Sequence, residues 1–368
     1  MSDALRNMPS PRARARRTFE PLLVAFLAAV LLAGAVIVFL VVYETAALGW
    51  PLGREFPPRF DLYHLLRTAL VTVFCLAFLG TVARLQAPQA ARPALGRVPT
   101  VLAALLALLG VGFVALLALD PDEFHYRARE DGALEWASAL LLFVASGIFA
   151  ERAFRFLKTS QGRLVAAAAA LLAMAFFVMA MEEISWFQRV IGFGTPEGLA
   201  EANWQGEFNL HNLQTNFSEL ALYTGAGLFL GVIPLLREIA PAPWLRHPLA
   251  AFVPDRAVAA VSAPVAMLTY GQWNLLPVQL ACLLAIFALF AFARAAWRRG
   301  GTSEARLFLA LGLAVALGQV LTLFLGGRMD DVPDASEYKE LFIAAGFAFY
   351  AASASLALRR GAAFASPR

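Results

Sequence analysis

A chain of 368 residues in which 60% of side chains are hydrophobic and only 15% charged carries more apolar sequence than a water-soluble core can use. That composition, with a formal net charge of only +4, excludes a soluble globular domain and a nucleic-acid-binding module, and points to a chain solvated mostly by lipid. Lys158 and Lys339 are the only lysines, and the arginine excess reads as the codon bias of a GC-rich bacterial genome. The two cysteines, Cys75 and Cys282, each lie inside an apolar run, where neither a disulfide nor a thiolate metal site is expected.

In chain order, a basic tail over 1–20 precedes an apolar run too long for a signal-peptide core, so the first run is expected to remain as a span. Runs long enough to cross the hydrocarbon layer recur at 21–43, 62–83, 99–119, 134–156, 164–184, 217–236, 257–272, 277–296, 306–326 and 339–358. The seventh is short and carries Pro264. The expected architecture is an all-α polytopic bundle of about ten spans, one membrane domain over 21–358, with both termini and a short tail over 359–368 on the cytoplasmic side. Gly227 and Gly231 in the sixth span form a small-xxx-small pair that lets another helix approach closely.

Charge tests the count. With ten spans, the inner segments hold 22 of the 30 basic residues and only Asp3, Glu20, Glu151, Glu238, Asp255 and Glu304 as acids. The outer side keeps the other 20 of the 26 acids, the asymmetry that the positive-inside rule demands. Dropping the seventh span would place Arg298, Arg299, Arg359 and Arg360 outside. In a bacterium the acidic side is the periplasm, so the expected location is the cytoplasmic membrane.

Three outer segments, 120–134, 183–216 and 327–339, form an expected cap. In the first, Asp120, Pro121 and the acids after them read as a helix start, Asp131 as the cap of the fourth span, and Glu135 and Ser138 as one face of its outer end. In the second, an outward continuation of the fifth helix puts Glu182, Ser185, Trp186 and Arg189 on one face, with Glu183 about 100° away. Thr195-Pro196-Glu197 reads as a helix start running to about Ala202. Gln188, Asn203, Gln205, Glu207, Asn209, His211 and Asn212 then supply a density of amides suited to a folded loop or to ligand contact. In the third, Asp334 and Glu337 fit a helix cap, and Glu337 and Glu340 share a face at the mouth of the last span. Asp61, His64 and Arg67 lie along the second span, where Arg67 needs an acidic partner.

The string Glu182-Glu183-Ile-Ser-Trp-x-Gln-Arg189, with Thr195-Pro-Glu197 and Asn203-x-Gln-Gly-Glu207-x-Asn-Leu-His211-Asn212, resembles a signature carried by bacterial multi-pass inner-membrane proteins of unassigned function. That resemblance implies a membrane location and no activity. CAAX-type intramembrane proteases are similar in their paired glutamates, but five residues separate Glu183 from Arg189 and their later histidine motif is missing. Alkaline ceramidase-like hydrolases are similar at Glu135 and Ser138, yet the last two spans here hold no histidine.

Three functions follow. A metal-dependent membrane hydrolase would use His125, His211 and Glu182 around a divalent ion such as zinc, with Glu183 as base and Arg189 holding an oxyanion. A cation or small-molecule transporter would use Glu135, Glu182 and Glu340 as intramembrane carboxylates. A non-catalytic protein would use the outer pocket to bind a lipid, peptide or cation. All three expect Glu135, Glu182, Glu183, Arg189, His211 and Glu340 to converge on one outward-facing pocket.

Overall fold

The computed structural model of the chain describes residues 11–50, 56–85, 94–129, 132–158, 162–203, 206–240, 242–245, 247–328 and 335–365. Among them the regular structure is all helix, and nine helices are long and apolar enough to cross a membrane. The chain divides into two compact units, one of residues 1–50 and 60–90, the other of 51–59 and 91–368.

The first unit is a helical pair, α1 (Pro11–Ala46) and α2 (Leu62–Leu85). They run antiparallel, since Phe26 lies against Gly80 and Phe74 against Gly34. Their outward side chains, such as Leu31, Leu32, Phe39 and Leu66, are exposed as lipid-facing residues must be. The buried Arg67 finds its acid on α1: its Nη1 donates to Glu44 Oε1 at 2.7 Å, and Tyr63 donates to the same oxygen at 2.7 Å. Asp61 caps α2 by accepting from the His64 backbone N–H at 3.0 Å and lies 2.9 Å from His64 Nδ1. Those bonds, the backbone one foremost, hold the Asp61 carboxyl below its ordinary range.

The second unit contains α3 (Arg97–Leu119), the short α4 (Pro121–Arg127), α5 (Ala133–Leu157) and α6 (Arg163–Glu183). The cap follows, with α7 (Gln188–Ile191) and α8 (Glu197–Ala202). The next span begins as α9 (Thr215–Ala226), widens into a π-helix over Gly227–Val232 and ends as α10 (Ile233–Arg237), where Pro234 withholds a backbone donor. Then come α11 (Ala242–Leu245), α12 (Arg256–Val261), α13 (Leu276–Arg298), α14 (Thr302–Leu325) and α15 (Ala335–Ala365). Helices α5, α6 and α15 pack together around Phe149, Phe176, Phe347 and Tyr350, with ring centroids 5.0–6.0 Å apart. A Cβ on Gly227 would stand 3.2 Å from Ala281 Cβ and one on Gly231 2.7 Å from Ala285 Cβ, so the small-xxx-small pair does admit α13.

The expected seventh span, 257–272, is not one helix. It consists of α12, a 3-10 turn over Ala263–Ala266 with Pro264 in its first turn, and a non-helical stretch to Tyr270. It nevertheless runs through the interior of the bundle. Just before it, Phe252 O accepts from Tyr350 on α15 at 2.7 Å, and near its end Thr269 Oγ1 accepts from Lys339 on the same helix at 2.9 Å. Those two α15 residues stand about 16 Å apart along the helix axis. Val258 to Leu268 are buried throughout, the condition under which irregular backbone is tolerated at membrane depth. Gln319 replaces the missing helical bonds: its Nε2 donates to Thr269 O at 2.6 Å and its Oε1 accepts from Thr269 N at 3.0 Å. The nine long helices among the described residues are one fewer than the expected ten spans, and this buried irregular segment lies where the remaining one was expected.

At the opposite end of the unit, Arg256 and Arg299 reach Glu304 at 3.0 and 3.6 Å, and Arg152 donates to Ser355 at 2.8 Å. A Gln319→Leu substitution keeps the volume but leaves the Thr269 N–H and C=O without partners in a dry core, a cost of roughly 1–3 kcal/mol for each group. The variant is expected to melt well below the wild type in detergent, and equal melting temperatures would show that the crossing does not need this amide.

Candidate functional site

The fifth long helix, α6, stops at Glu183 instead of continuing to Arg189. Ser185, Trp186 and Phe187 then adopt positive φ values of 44°, 55° and 61°, a left-handed turn built without glycine. Each such residue costs on the order of 1–2 kcal/mol, so the surroundings must hold the turn. Trp186 Nε1 donates back to Glu182 Oε1 at 2.7 Å, and Phe187 packs against Trp136 and Phe143 of α5 at 6.2 and 6.4 Å. Ser185 Oγ donates to Glu207 Oε2 at 2.5 Å and accepts from Asn209 Nδ2 at 3.0 Å.

Glu207 is the hub of the cap. Its other oxygen accepts from Arg189 Nη2 at 2.5 Å and Nε at 3.2 Å. Asn203 folds the same loop by donating to Asn209 O at 2.9 Å and Oδ1 at 2.8 Å while accepting from Glu207 N at 3.2 Å. Gln188 accepts from Phe208 N at 2.7 Å and donates to Thr195 Oγ1 at 2.6 Å. Thr195 donates onward to Gly206 O at 2.7 Å, so its hydroxyl does not cap the next helix, which starts one residue later than expected with Pro196 at its N-cap. Asn212 is buried, and Thr215 Oγ1 donates to its backbone oxygen at 3.3 Å. Gln205 lies outside the described residues, as do Asp131 and Asp334; Gly132 stands at the N-cap of α5.

Glu182 pins the far side of the loop. Its Oε2 accepts from Leu210 N at 2.6 Å and His211 N at 3.0 Å, with His211 Nδ1 3.4 Å away but outside hydrogen-bond geometry. With both oxygens engaged by loop donors, Glu182 is poorly placed to serve as a metal ligand. The expected set of His125, His211 and Glu182 is not assembled: among the described residues no three His, Cys, Asp or Glu side chains gather in a metal-holding group, and His125 sits exposed on α4.

Glu183 faces elsewhere, as its 100° offset from Glu182 dictates. It continues the buried face of α6 through Phe176 and Ala180 and interacts electrostatically with Glu340 of α15 and Glu135 of α5. Three helices that pack on one another thus each end in a glutamate at the same mouth. Tyr223 of α9 donates to Glu340 Oε1 at 2.7 Å, and its ring face carries the Lys339 ammonium 4.4 Å from the centroid. Lys339 is buried and leads to Thr269 of the broken crossing. Ser138, one turn inward of Glu135 on its face, is fully buried with its hydroxyl unbonded. Glu337, partly buried, lies one turn outward of Glu340.

No family model, curated protein or solved structure matches this chain. Its geometry therefore has to speak alone. The residues expected in one pocket separate into a hydrogen-bonded cap of Glu182, Gln188, Arg189, Asn203, Glu207, Asn209 and His211, and a carboxylate group of Glu135, Glu183 and Glu340. Tyr223, Lys339 and Thr269, which adjoin the second group, carried no sequence signal beyond being polar residues near span ends. Replacing Glu207 by Ala removes the acceptor shared by Ser185, Arg189 and Asn209, and should cost roughly 2–3 kcal/mol. Faster hydrogen exchange and proteolysis across 185–210, with the spans unaffected, is the expected readout; an unchanged loop would deny Glu207 its central place.

Proposed function

We propose that this multi-pass membrane protein binds an organic cation, an amine, in a pocket formed by Glu135, Glu183 and Glu340. The observation that carries this reading is the electrostatic meeting of three carboxylates from α5, α6 and α15 at one mouth of the bundle. Like charges brought together away from bulk water repel one another, and a bound cation relieves that repulsion. Tyr223 fixes one of the three by its bond to Glu340, and the unbonded Ser138 hydroxyl offers a neutral donor or acceptor one turn deeper. About 10 Å further in, the rings of Phe176 and Phe347 close the path between the helices. The pocket is accordingly a site entered from its acidic side. We place that side in the periplasm and the chain in the cytoplasmic membrane of a bacterium, on the strength of the arginine distribution and the likeness of the Glu182–Asn212 signature to multi-pass bacterial proteins of unassigned activity.

The broken crossing favours a second reading, transport of the bound cation. Tyr223, Lys339, Thr269 and Gln319 form a continuous polar chain from the carboxylates to unwound backbone at membrane depth, a placement that transporters use for substrate and coupling ions.

Calorimetric titration of purified protein with butylammonium tests the binding reading. Wild type is expected to bind it, and Glu183→Gln or Glu340→Gln to weaken binding by about tenfold, ~1.4 kcal/mol. Absence of binding, or binding indifferent to both substitutions, overturns the proposal, and uptake of the bound cation into proteoliposomes would select the transport reading.

A further inference from the structure

The cap turns its polar groups inward and leaves an apolar face outside. Val190 and Ile191 on α7 are 64% and 70% exposed, and Leu210 and Phe217 are 63% and 55% exposed. These residues form one connected surface. Phe217, 55% exposed, lies on the span that starts at Thr215, and Leu213, 38% exposed, ends the 3-10 turn just before it. Leu210 follows, tied by its backbone N–H to Glu182 at the end of α6. Gln188 and Arg189 bond Phe208 and Glu207, which brings Val190 and Ile191 alongside.

We propose that this face is set into the headgroup layer of the leaflet at that mouth, with phospholipid acyl chains as its partner. Two observations choose lipid over water or a protein. The surface includes a side chain of a candidate membrane span, Phe217, and the cap that carries the rest begins directly where another such span, α6, ends. Trp136, 39% exposed at the outer end of α5, marks the same level with an aromatic suited to the interface. Apolar side chains on a segment lying along that boundary gain by partitioning into it, as interfacial helices do. The exposed acids Glu197 and Glu201 on α8 lie apart from this face in the chain and mark the side of the cap turned to water.

The inference does not depend on the carboxylate pocket. Its test places an environment-sensitive fluorophore on Ile191→Cys, Leu210→Cys and Glu201→Cys in phosphatidylcholine proteoliposomes; Cys75 and Cys282 are buried and leave the new thiol as the reactive one. Labels at 191 and 210 are expected to emit blue-shifted light, to lose it to nitroxide-bearing lipid and to resist aqueous iodide, with 201 behaving oppositely. If iodide quenches 191 and 210 as strongly as 201, the face is open to water and the proposal fails. It fails also if neither quencher reaches them, since a protein would then be covering the face.

Discussion

Hydrocarbon offers no hydrogen bonds, so every backbone group that leaves a helix inside the membrane must find its partner within the protein. The nine long helices among the described residues meet this demand within themselves, and the irregular segment after α12 meets it by being surrounded. The stretch after α12 loses its ladder at Pro264 and is repaired by one side-chain amide, that of Gln319, which takes both the N–H and the C=O of Thr269. Around it, close approach is secured by small residues: Gly110 and Gly318 leave space occupied by the Met267 sulfur, and Gly346 leaves space for Ser262. A side chain at any of these glycines would push the unwound segment out of the cover that makes it tolerable. The interior of the second unit is built around that segment.

The same accounting governs the cap, where water is near but strain is high. Three consecutive left-handed residues without glycine cost on the order of 3–6 kcal/mol together. The compensation comes from charge-assisted bonds to Glu182 and Glu207 and from the Phe187 ring between Trp136 and Phe143. The two glutamates differ in task. Glu182 holds the chain entering the loop to the chain leaving it, whereas Glu207 gathers Ser185, Arg189 and Asn209 at its centre. The turn lets α6 end abruptly at Glu183, so that this side chain remains among the helices while the next residues move away.

Much of the architecture was legible because lipid imposes strong rules on composition. Apolar runs gave the helices, and the arginine count demanded a crossing at 257–272 although no ordinary helix fits there. The nature of that crossing was not legible, since a buried irregular segment and a short helix share the same apolar composition, and Gln319 acquires meaning only when its partner is known. At the site, the 100° offset between Glu182 and Glu183 foretold that they would look different ways. Helical periodicity failed beyond Glu183 because the left-handed turn is enforced by Glu207, more than twenty residues downstream, which no local pattern encodes. The amides of 203–212 were recognisable as a folded loop, but their mutual bonding withdraws them from the ligand contact that the same residues could have made. Arg67 was recognisable as needing an acid, while its choice of Glu44 followed from the antiparallel packing of α1 on α2.

The separation of cap from carboxylates bears on what kind of ligand the mouth can take. In the cap each glutamate faces donors: Glu207 has a guanidinium, a hydroxyl and an amide, and Glu182 has an indole and two backbone N–H groups, so their charges are already answered. Glu183 instead faces two other glutamates, Glu135 and Glu340, and close by Lys339 donates to Thr269 and lies over the Tyr223 ring. Tyr223 joins the two, its ring face toward the ammonium and its hydroxyl on Glu340. A carboxylate set among other carboxylates differs from a structural ion pair such as Glu44 with Arg67, and it is this difference that the proposed cation would answer.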